Sequence, residues 1–184
     1  MSANATALAT AIGVASSSAF LSCGLTLSYL SIPSILLPAP PNTTPAQTKS
    51  LHDSAARSWQ YLYDVGKKVG PAIGTVGAAA YIYAARNFPS AAKTERQLLY
   101  AAAVMNMLVG PFTIVVMART NTEIYRRADA AKVGEDERVA RKGKGSIEGI
   151  ETPELLKRWA RLNAWRCVFP VVALALAGRV LLAL

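Results

Sequence analysis

Aromatic, ionisable and small residues recur through the middle of the chain at helical spacings. His52, Trp59, Tyr63, Gly66 and Gly70 are separated by seven, four, three and four residues. At about 100° per residue, these intervals place all five on one face of a helix. The pattern therefore brings an imidazole, which titrates near neutral pH, and two large aromatic rings to one side of one helix.

A second group of the same kind precedes the C-terminal apolar stretch. Trp159, Asn163 and Arg166 recur at intervals of four and three, again on one helical face, and Thr113 and Asn121 follow the end of the preceding apolar stretch. If the helices that carry these groups end at the same membrane surface, they form a cleft with an apolar floor and a polar, aromatic mouth. Clefts between the helices of a bundle are common ligand sites.

The same residues also have a purely structural interpretation. Trp and Tyr collect at membrane interfaces as anchors, and Arg or His near helix ends extend towards the lipid headgroups. Spacing alone favours this interpretation over a ligand site. With one histidine and two cysteines far apart in the chain, no metal site is predicted.

The elements that position these residues are predicted to be membrane helices. Residues 1–48 contain no Asp, Glu, Lys or Arg, a run longer than the roughly 20 apolar residues that span a bilayer. Over the whole chain 52% of residues are hydrophobic. We therefore predict an all-α fold, an integral membrane four-helix bundle forming a single membrane domain over residues 1–184. The predicted spans cover about residues 7–30, 69–85, 98–118 and 167–184. A linker with an interfacial helix covers residues 38–68, and a long polar loop covers residues 119–166.

The basic residues are distributed unequally between the predicted connections. The linker holds four Lys or Arg and the polar loop 12, against three in the short connection around residues 86–96. The positive-inside rule therefore puts both long connections in the cytosol and both termini on the other side. It also accounts for the net charge of +9 without a nucleic-acid partner. We expect a multi-pass protein of the endoplasmic reticulum or a vesicle membrane.

Polar groups inside the predicted spans are few. Asn106 lies in the middle of the third span, where an amide usually faces the bundle interior and finds a hydrogen-bonding partner. No acidic residue lies in any predicted span, and such residues carry proton coupling in many membrane transporters. The sequence therefore argues against a proton-driven exporter.

Taken together, these motifs resemble the anthrone oxygenase family, small four-span membrane proteins found chiefly in fungal polyketide pathways. The matching pieces occur in the same order along most of the chain. They are Gly24-x-x-x-Ser28-x-x-x-x-Pro33, Trp59-x-x-x-Tyr63-x-x-Gly66-x-x-x-x-Pro71, Pro111-Phe112-Thr113 with Thr120-Asn121, and Leu155-x-x-x-Trp159-x-x-x-Asn163-x-x-Arg166. The last piece is the most specific.

The resemblance implies that the central methylene carbon of an anthrone is oxygenated by molecular oxygen to give an anthraquinone. It implies a small aromatic polyketide as the substrate, the lipid bilayer as the surroundings, and no flavin, haem or metal cofactor. The sequence likewise lacks flavin, nicotinamide and haem-attachment motifs.

The resemblance also suggests catalytic and substrate-binding roles for the clustered residues. His52 is the first candidate for the base, and Asp53 and Asp64 are the alternatives. Asn163 and Arg166 are candidates for stabilising the substrate oxyanion. The candidate substrate-binding residues are the three rings and two polar groups of the cleft, Trp59, Tyr63, Thr113, Asn121 and Trp159. We further expect the Trp59 face and the Trp159 face to approach each other.

A noncatalytic protein of four spans is the competing class. In that case the chain is a binding or scaffold subunit, and its aromatic and basic helix ends are membrane anchors. Incubation of the purified protein with an anthrone and oxygen separates the two classes, because a scaffold leaves the spontaneous oxidation rate unchanged.

The charge distribution gives a testable topology. Single cysteines introduced between Lys132 and Lys144 are expected to react with a membrane-impermeant thiol reagent from the cytosolic side, because the loop carries most of the basic residues. Labelling of the same positions from the lumenal side would overturn the topology and move the predicted site across the membrane.

Overall fold

The computed structural model describes residues 3–132 and 149–183, and these fold almost entirely into α-helices. The all-α prediction is therefore confirmed. In chain order the elements are α1 (Ala3–Thr26), a π-helical turn (Leu27–Ser31), α2 (Ile32–Ile35), α3 (Pro45–Asn87), α4 (Lys93–Val116), α5 (Ala118–Ala130), α6 (Thr152–Arg166) and α7 (Val168–Leu181).

The first apolar segment is one helical rod with an irregular turn near its C-terminal end. The π-helical turn widens the rod between α1 and α2, and Ser28 at this turn is buried. Its hydroxyl donates to the carbonyl of Gly24 over 2.9 Å. Single π-turns inside helices are often found at functional sites, and this one lies against α6.

Helix α3 begins with a capping box and runs for 43 residues. The Thr44 hydroxyl accepts from the amide of Gln47 over 3.3 Å, and the Gln47 side chain accepts from the Thr44 amide over 2.8 Å. Pro45 occupies the first turn, where its missing N–H is no loss. At the other end, Arg96 Nε donates to the carbonyl of Ala85 over 3.2 Å and caps the last turn.

Two short irregularities divide the remaining helices. Between α4 and α5 the helix is interrupted at Met117, and between α6 and α7 at Cys167. Pro170 explains the second interruption, because it has no N–H to bond the carbonyl of Arg166 four residues earlier. The break leaves Arg166 as the last residue of α6.

Small residues allow the helices to approach closely. A methyl group on Gly13 would lie 2.3 Å from the ring of Tyr81, and one on Gly24 would lie 2.5 Å from Cys167 Sγ. A methyl group on Gly77 would lie 2.8 Å from the amide nitrogen of Asn106. These contacts join α1 to α3, α1 to the start of α7, and α3 to α4, as expected where small residues permit close packing in membranes.

Within the described part of the chain, three helical segments are long and apolar enough to cross a membrane: Asn4–Ile35, Lys93–Val116 and Thr152–Leu181. The predicted span at 69–85 lies in the second half of α3, which is not among the three. Its glycines, together with Pro71, Tyr81 and Tyr83, lower the mean hydropathy of that segment. It nevertheless packs between α1 and α4.

The connections differ from the prediction. Residues 119–166, predicted as one polar loop, include most of α5 and the whole of α6, and residues 133–148 lie outside the described ranges. Helix α5 is amphipathic and buries Thr120, Asn121, Ile124 and Ala128, a spacing that was not recognised because the segment is polar overall. The interfacial helix predicted over 38–68 is the first part of α3, which continues without a break into its second half.

The contact between Gly24 and Cys167 gives a prediction for stability. Gly24→Ala should lower the free energy of unfolding by about 1–3 kcal/mol, because the added methyl group overlaps Cys167 Sγ. Gly24→Ala combined with Cys167→Gly should recover most of the loss, since the overlapping atom is removed. Unfolding in detergent, followed by tryptophan fluorescence, measures both.

Gly178→Ala in α7 is the matched control. No atom lies within 4 Å of the added methyl group there, so the variant should be as stable as the parent or more so. Equal losses for Gly24→Ala and Gly178→Ala would contradict the close packing at Gly24.

Candidate ligand-binding site

Four aromatic rings from three helices form one cluster beside the π-helical turn. Trp59, at the centre and fully buried, stacks on Tyr63 with ring centroids 4.9 Å apart. It meets Tyr125 edge-on at 5.4 Å and Trp159 edge-on at 5.7 Å. Edge-to-face ring pairs stabilise a folded protein by more than the burial of their apolar surface alone. The predicted approach of the Trp59 and Trp159 faces is confirmed.

Asn121 fixes two of these rings by hydrogen bonds. Its amide oxygen accepts from Trp159 Nε1 over 2.9 Å, and its amide nitrogen donates to the Tyr63 hydroxyl over 2.9 Å. Asn121 itself is buried in α5. It was predicted as a substrate-binding residue, and in the structure its amide holds the rings of Tyr63 and Trp159 in place.

A cavity of about 250 Å³ lies next to the aromatic cluster, between α1, α3, α4 and α6. Most of its wall is apolar, from residues that include Phe20, Leu27, Leu62, Met107, Val109 and Ile114. Its polar side chains include Tyr63, Lys67, Asn106, Thr113 and Arg166, and the ring of Trp159 completes one side. Apolar walls with a few converging polar groups are typical of small-molecule sites.

Arg166 is the cation on the cavity wall with the fewest partners. Its Nη1 lies 3.4 Å from the hydroxyl of Thr113, and its guanidinium carbon lies 5.7 Å from the centre of the Phe20 ring. Its Nε is buried and has no hydrogen-bond partner. Among residues 3–132 and 149–183, Arg166 makes no ion pair with a carboxylate. The site therefore contains a largely desolvated positive charge without a counter-ion from the described residues.

Asn163 points away from the cavity, into the contact between α6 and α1. Its amide nitrogen donates over 2.7 Å to the carbonyl of Gly24 and over 2.7 Å to the hydroxyl of Ser28. Asn163 is fully buried and does not line the cavity. These bonds position α6, one turn before Arg166, against the π-helical turn.

The cavity mouth carries a charged cluster on α3 and α5. Lys67 Nζ donates to the carboxylate of Asp64 over 2.6 Å and to the Tyr125 hydroxyl over 2.9 Å. The Tyr125 hydroxyl also donates to the same carboxylate. Hydrogen bonds from Lys67 and Tyr125 lower the pKa of Asp64, while burial raises the pKa of the neighbouring Tyr63 phenol. At neutral pH the mouth therefore holds an ionised carboxylate, an ammonium group and neutral phenols.

Besides Asn121 and Asn163, two further predicted residues do not line the cavity. Trp59 is enclosed by the other rings, although it fixes the position of Tyr63. His52 is partly buried on α3, eleven residues and about 16 Å along the helix axis from Tyr63. Residue spacing predicts which face of a helix a side chain occupies, but not which other helices lie beside that position. His52 and Trp59 therefore lie on the same face of α3 but have different neighbours. Its assignment as the base stays a prediction.

Sequence reasoning missed Lys67, Tyr125 and Phe20 as parts of the site. Tyr125 could have been predicted from the sequence, because it lies four residues after Asn121 and therefore on the same face of α5. Phe20 and Lys67 give no such signal, since their roles depend on which helices pack together.

Comparison with known proteins identifies the family that the chain resembles in sequence. The family model described as anthrone oxygenase matches residues 59–176, more than half of the chain. Anthrone oxygenase ptaC of Pestalotiopsis fici is 30% identical over 125 residues, which cover 66% of this chain and 81% of that protein. Anthrone oxygenase tpcL of Aspergillus fumigatus is 32% identical over 124 residues, 66% of each chain. Monooxygenase hypC of Dothistroma septosporum is 27% identical over 147 residues, 80% of this chain and 68% of that protein. No solved structure matches the chain.

The two hydrogen bonds of Asn121 give a prediction for stability. Asn121→Leu should lower the free energy of unfolding by about 1–3 kcal/mol, because the Trp159 N–H and the Tyr63 hydroxyl both lose their partner. Unfolding in detergent measures the loss. Thr122→Leu, at the adjacent exposed position, is the control and should leave stability nearly unchanged. Equal stability of the two variants would refute the bridging role.

Proposed function

The chain belongs to the anthrone oxygenase family, and we propose that it converts an anthrone to an anthraquinone with molecular oxygen in polyketide biosynthesis. The substrate is a small aromatic polyketide, and the second substrate is oxygen. The reaction takes place in a membrane of the endoplasmic reticulum or of a vesicle, in the cavity beside the aromatic cluster.

The observation that carries this proposal is the unpaired guanidinium of Arg166 on an apolar wall. Removing a charged group from water raises the free energy of the folded protein unless an opposite charge compensates it. The anion of an anthrone is such a partner, because its negative charge is delocalised from an oxygen over a flat hydrocarbon framework. Arg166 and the Thr113 hydroxyl face the oxygen, and the apolar walls with Tyr63 and Trp159 cover the rings.

Binding of the anion lowers the barrier to the first chemical step. The methylene carbon of an anthrone loses a proton to give an electron-rich oxyanion, and a prearranged cation stabilises the charge as it develops. Because the cavity excludes most water, the interaction with Arg166 is stronger there than it is at the surface.

The proton leaves towards the mouth of the cavity in this proposal. Asp64 is ionised at neutral pH and accepts a hydrogen bond from Lys67, which lines the cavity. We assign Asp64 as the proton acceptor, reached through water or the Tyr125 hydroxyl. His52 lies about 16 Å along α3 from Tyr63 and is not needed for this step.

The remaining steps balance with the two substrates alone. The anion transfers one electron to oxygen, and the carbon radical and superoxide combine to form a C–O bond and a peroxide. The peroxide takes up a proton, the same carbon loses its second hydrogen, and the O–O bond breaks to release water. The sum is anthrone plus oxygen giving anthraquinone plus water, so we propose a monooxygenase reaction without an added reductant or cofactor.

We also propose that the second half of α3 is a fourth membrane span. From Val69 to Asn87 this helix is about 28 Å long, close to the thickness of the hydrocarbon core. Four spans put the two termini on one side and the cavity mouth with Lys67 on the cytosolic side. The apolar part of the cavity then lies at the depth of the lipid, from which a flat polyketide can partition into it.

Turnover by purified protein tests the proposed function. The parent protein should accelerate quinone formation above the spontaneous rate, measured at each pH in the absence of protein. Arg166→Gln should lower the protein-dependent rate about 100- to 1000-fold, the usual effect of removing an oxyanion donor. Arg166→Lys keeps the charge without the planar fork and should give an intermediate rate.

Arg161→Gln is the matched control, because Arg161 lies on the same helix but is exposed and outside the cavity. It should retain the parent rate. If the parent protein leaves the spontaneous rate unchanged, the proposed function is wrong and the scaffold class is favoured. If Arg166→Gln is as active as Arg161→Gln, the proposed role of Arg166 is wrong.

A further inference from the structure

A second polar group faces the cavity at the end opposite the mouth. Asn106 lies on α4, seven residues before Thr113, and is one of the residues that line the cavity. Two helical turns separate the two residues by about 10 Å along the axis. The cavity therefore has a polar group at each end, Asn106 at its floor and Arg166 with Thr113 near its mouth, with apolar wall between them.

The surroundings of Asn106 hold its amide in one position. Its nitrogen donates to the Ser17 hydroxyl over 3.0 Å, and Ser17 also lies 3.1 Å from the Tyr81 hydroxyl. Gly77 leaves the space that the amide occupies, since a methyl group there would lie 2.8 Å from its nitrogen. Asn106 and Ser17 are both buried, so thermal motion has little room to reorient the group.

The hydrogen bonds to Ser17 use only part of the capacity of this amide. A side-chain amide has two N–H donors and an oxygen with two lone pairs. Ser17 takes one N–H, and its single hydroxyl hydrogen is shared among the Gly13 carbonyl, the Tyr81 hydroxyl and the Asn106 oxygen. Within the described part of the chain, one N–H of Asn106 has no partner, on a residue that borders the cavity.

We propose that Asn106 recognises a hydrogen-bonding substituent on an outer ring of the substrate, at the end remote from the oxyanion. This inference rests on the proposed function. With the oxyanion at Arg166, the flat framework extends along α4, and an outer-ring hydroxyl reaches the free amide N–H. Asn106 is then a specificity-determining residue for the substituent on that ring.

A ratio of two rates tests the inference. Paired anthrones with and without an outer-ring hydroxyl are assayed with the same protein, and kcat/KM for the hydroxylated member is divided by that for its partner. The parent protein should favour the hydroxylated member by about tenfold or more, because a site built to hydrogen-bond a substrate rejects the analogue that lacks the group. Asn106→Leu should bring the ratio close to one.

Tyr81→Phe is the structural control. Tyr81 belongs to the same polar network but does not line the cavity, so its loss should reduce stability and leave the ratio at the parent value. If Asn106→Leu cannot be purified folded, Asn106→Ser keeps a small polar side chain that is too short to reach the ligand, and it should also lower the ratio.

The outcomes distinguish failure of the proposed function from failure of the role of Asn106. A parent protein that oxidises neither anthrone overturns the proposed function and this inference with it. A parent protein that oxidises both anthrones equally, or a preference that survives in the Asn106 variants, overturns the role of Asn106 alone. A ratio that falls in Tyr81→Phe as much as in Asn106→Leu would also overturn it, because the effect would then come from the polar network in general.

Discussion

Asn163 ties α6 to the π-helical turn of the first helical rod, and the geometry of the cavity depends on this contact. Both hydrogens of its amide are used, one on the Gly24 carbonyl and one on the Ser28 hydroxyl. Gly24 also gives Cys167 room to approach. Together these contacts set the height and rotation of α6. Trp159 one turn earlier and Arg166 one turn later therefore face the cavity.

The position of Arg166 explains why the aromatic cluster and the polar network are so closely fixed. A cation in apolar surroundings lowers the stability of the bundle unless other contacts offset it. The edge-on rings around Trp59 and the bridge at Asn121 supply such contacts without neutralising the charge. The bundle thus holds a positive charge ready for an anionic ligand, an arrangement in which electrostatic preorganisation can act on a reaction.

The sequence predicted the residues that act through helical spacing and missed those that act through contacts between helices. Trp159 and Arg166 were found because intervals of three and four residues define a helical face. The bonds of Asn163 were not, since a π-helical turn shifts the face of the first rod and leaves no trace in spacing. Asn106 was predicted to bond within the bundle, and Ser17 is its partner. The position of Asn106 beside the cavity depends on how α3 packs against α4, and the sequence of one helix alone does not predict that packing.

The central claim is that Arg166 stabilises the anion of an aromatic substrate. An anthrone titrated with the protein in the absence of oxygen tests it most directly, because the anion and the neutral form absorb at different wavelengths. At a pH where the free anthrone is neutral, the parent protein should produce the spectrum of the bound anion, and Arg166→Gln should bind with the spectrum of the neutral form. A bound anthrone that stays neutral in the parent protein, or an anion that forms equally well without the guanidinium, would contradict the account.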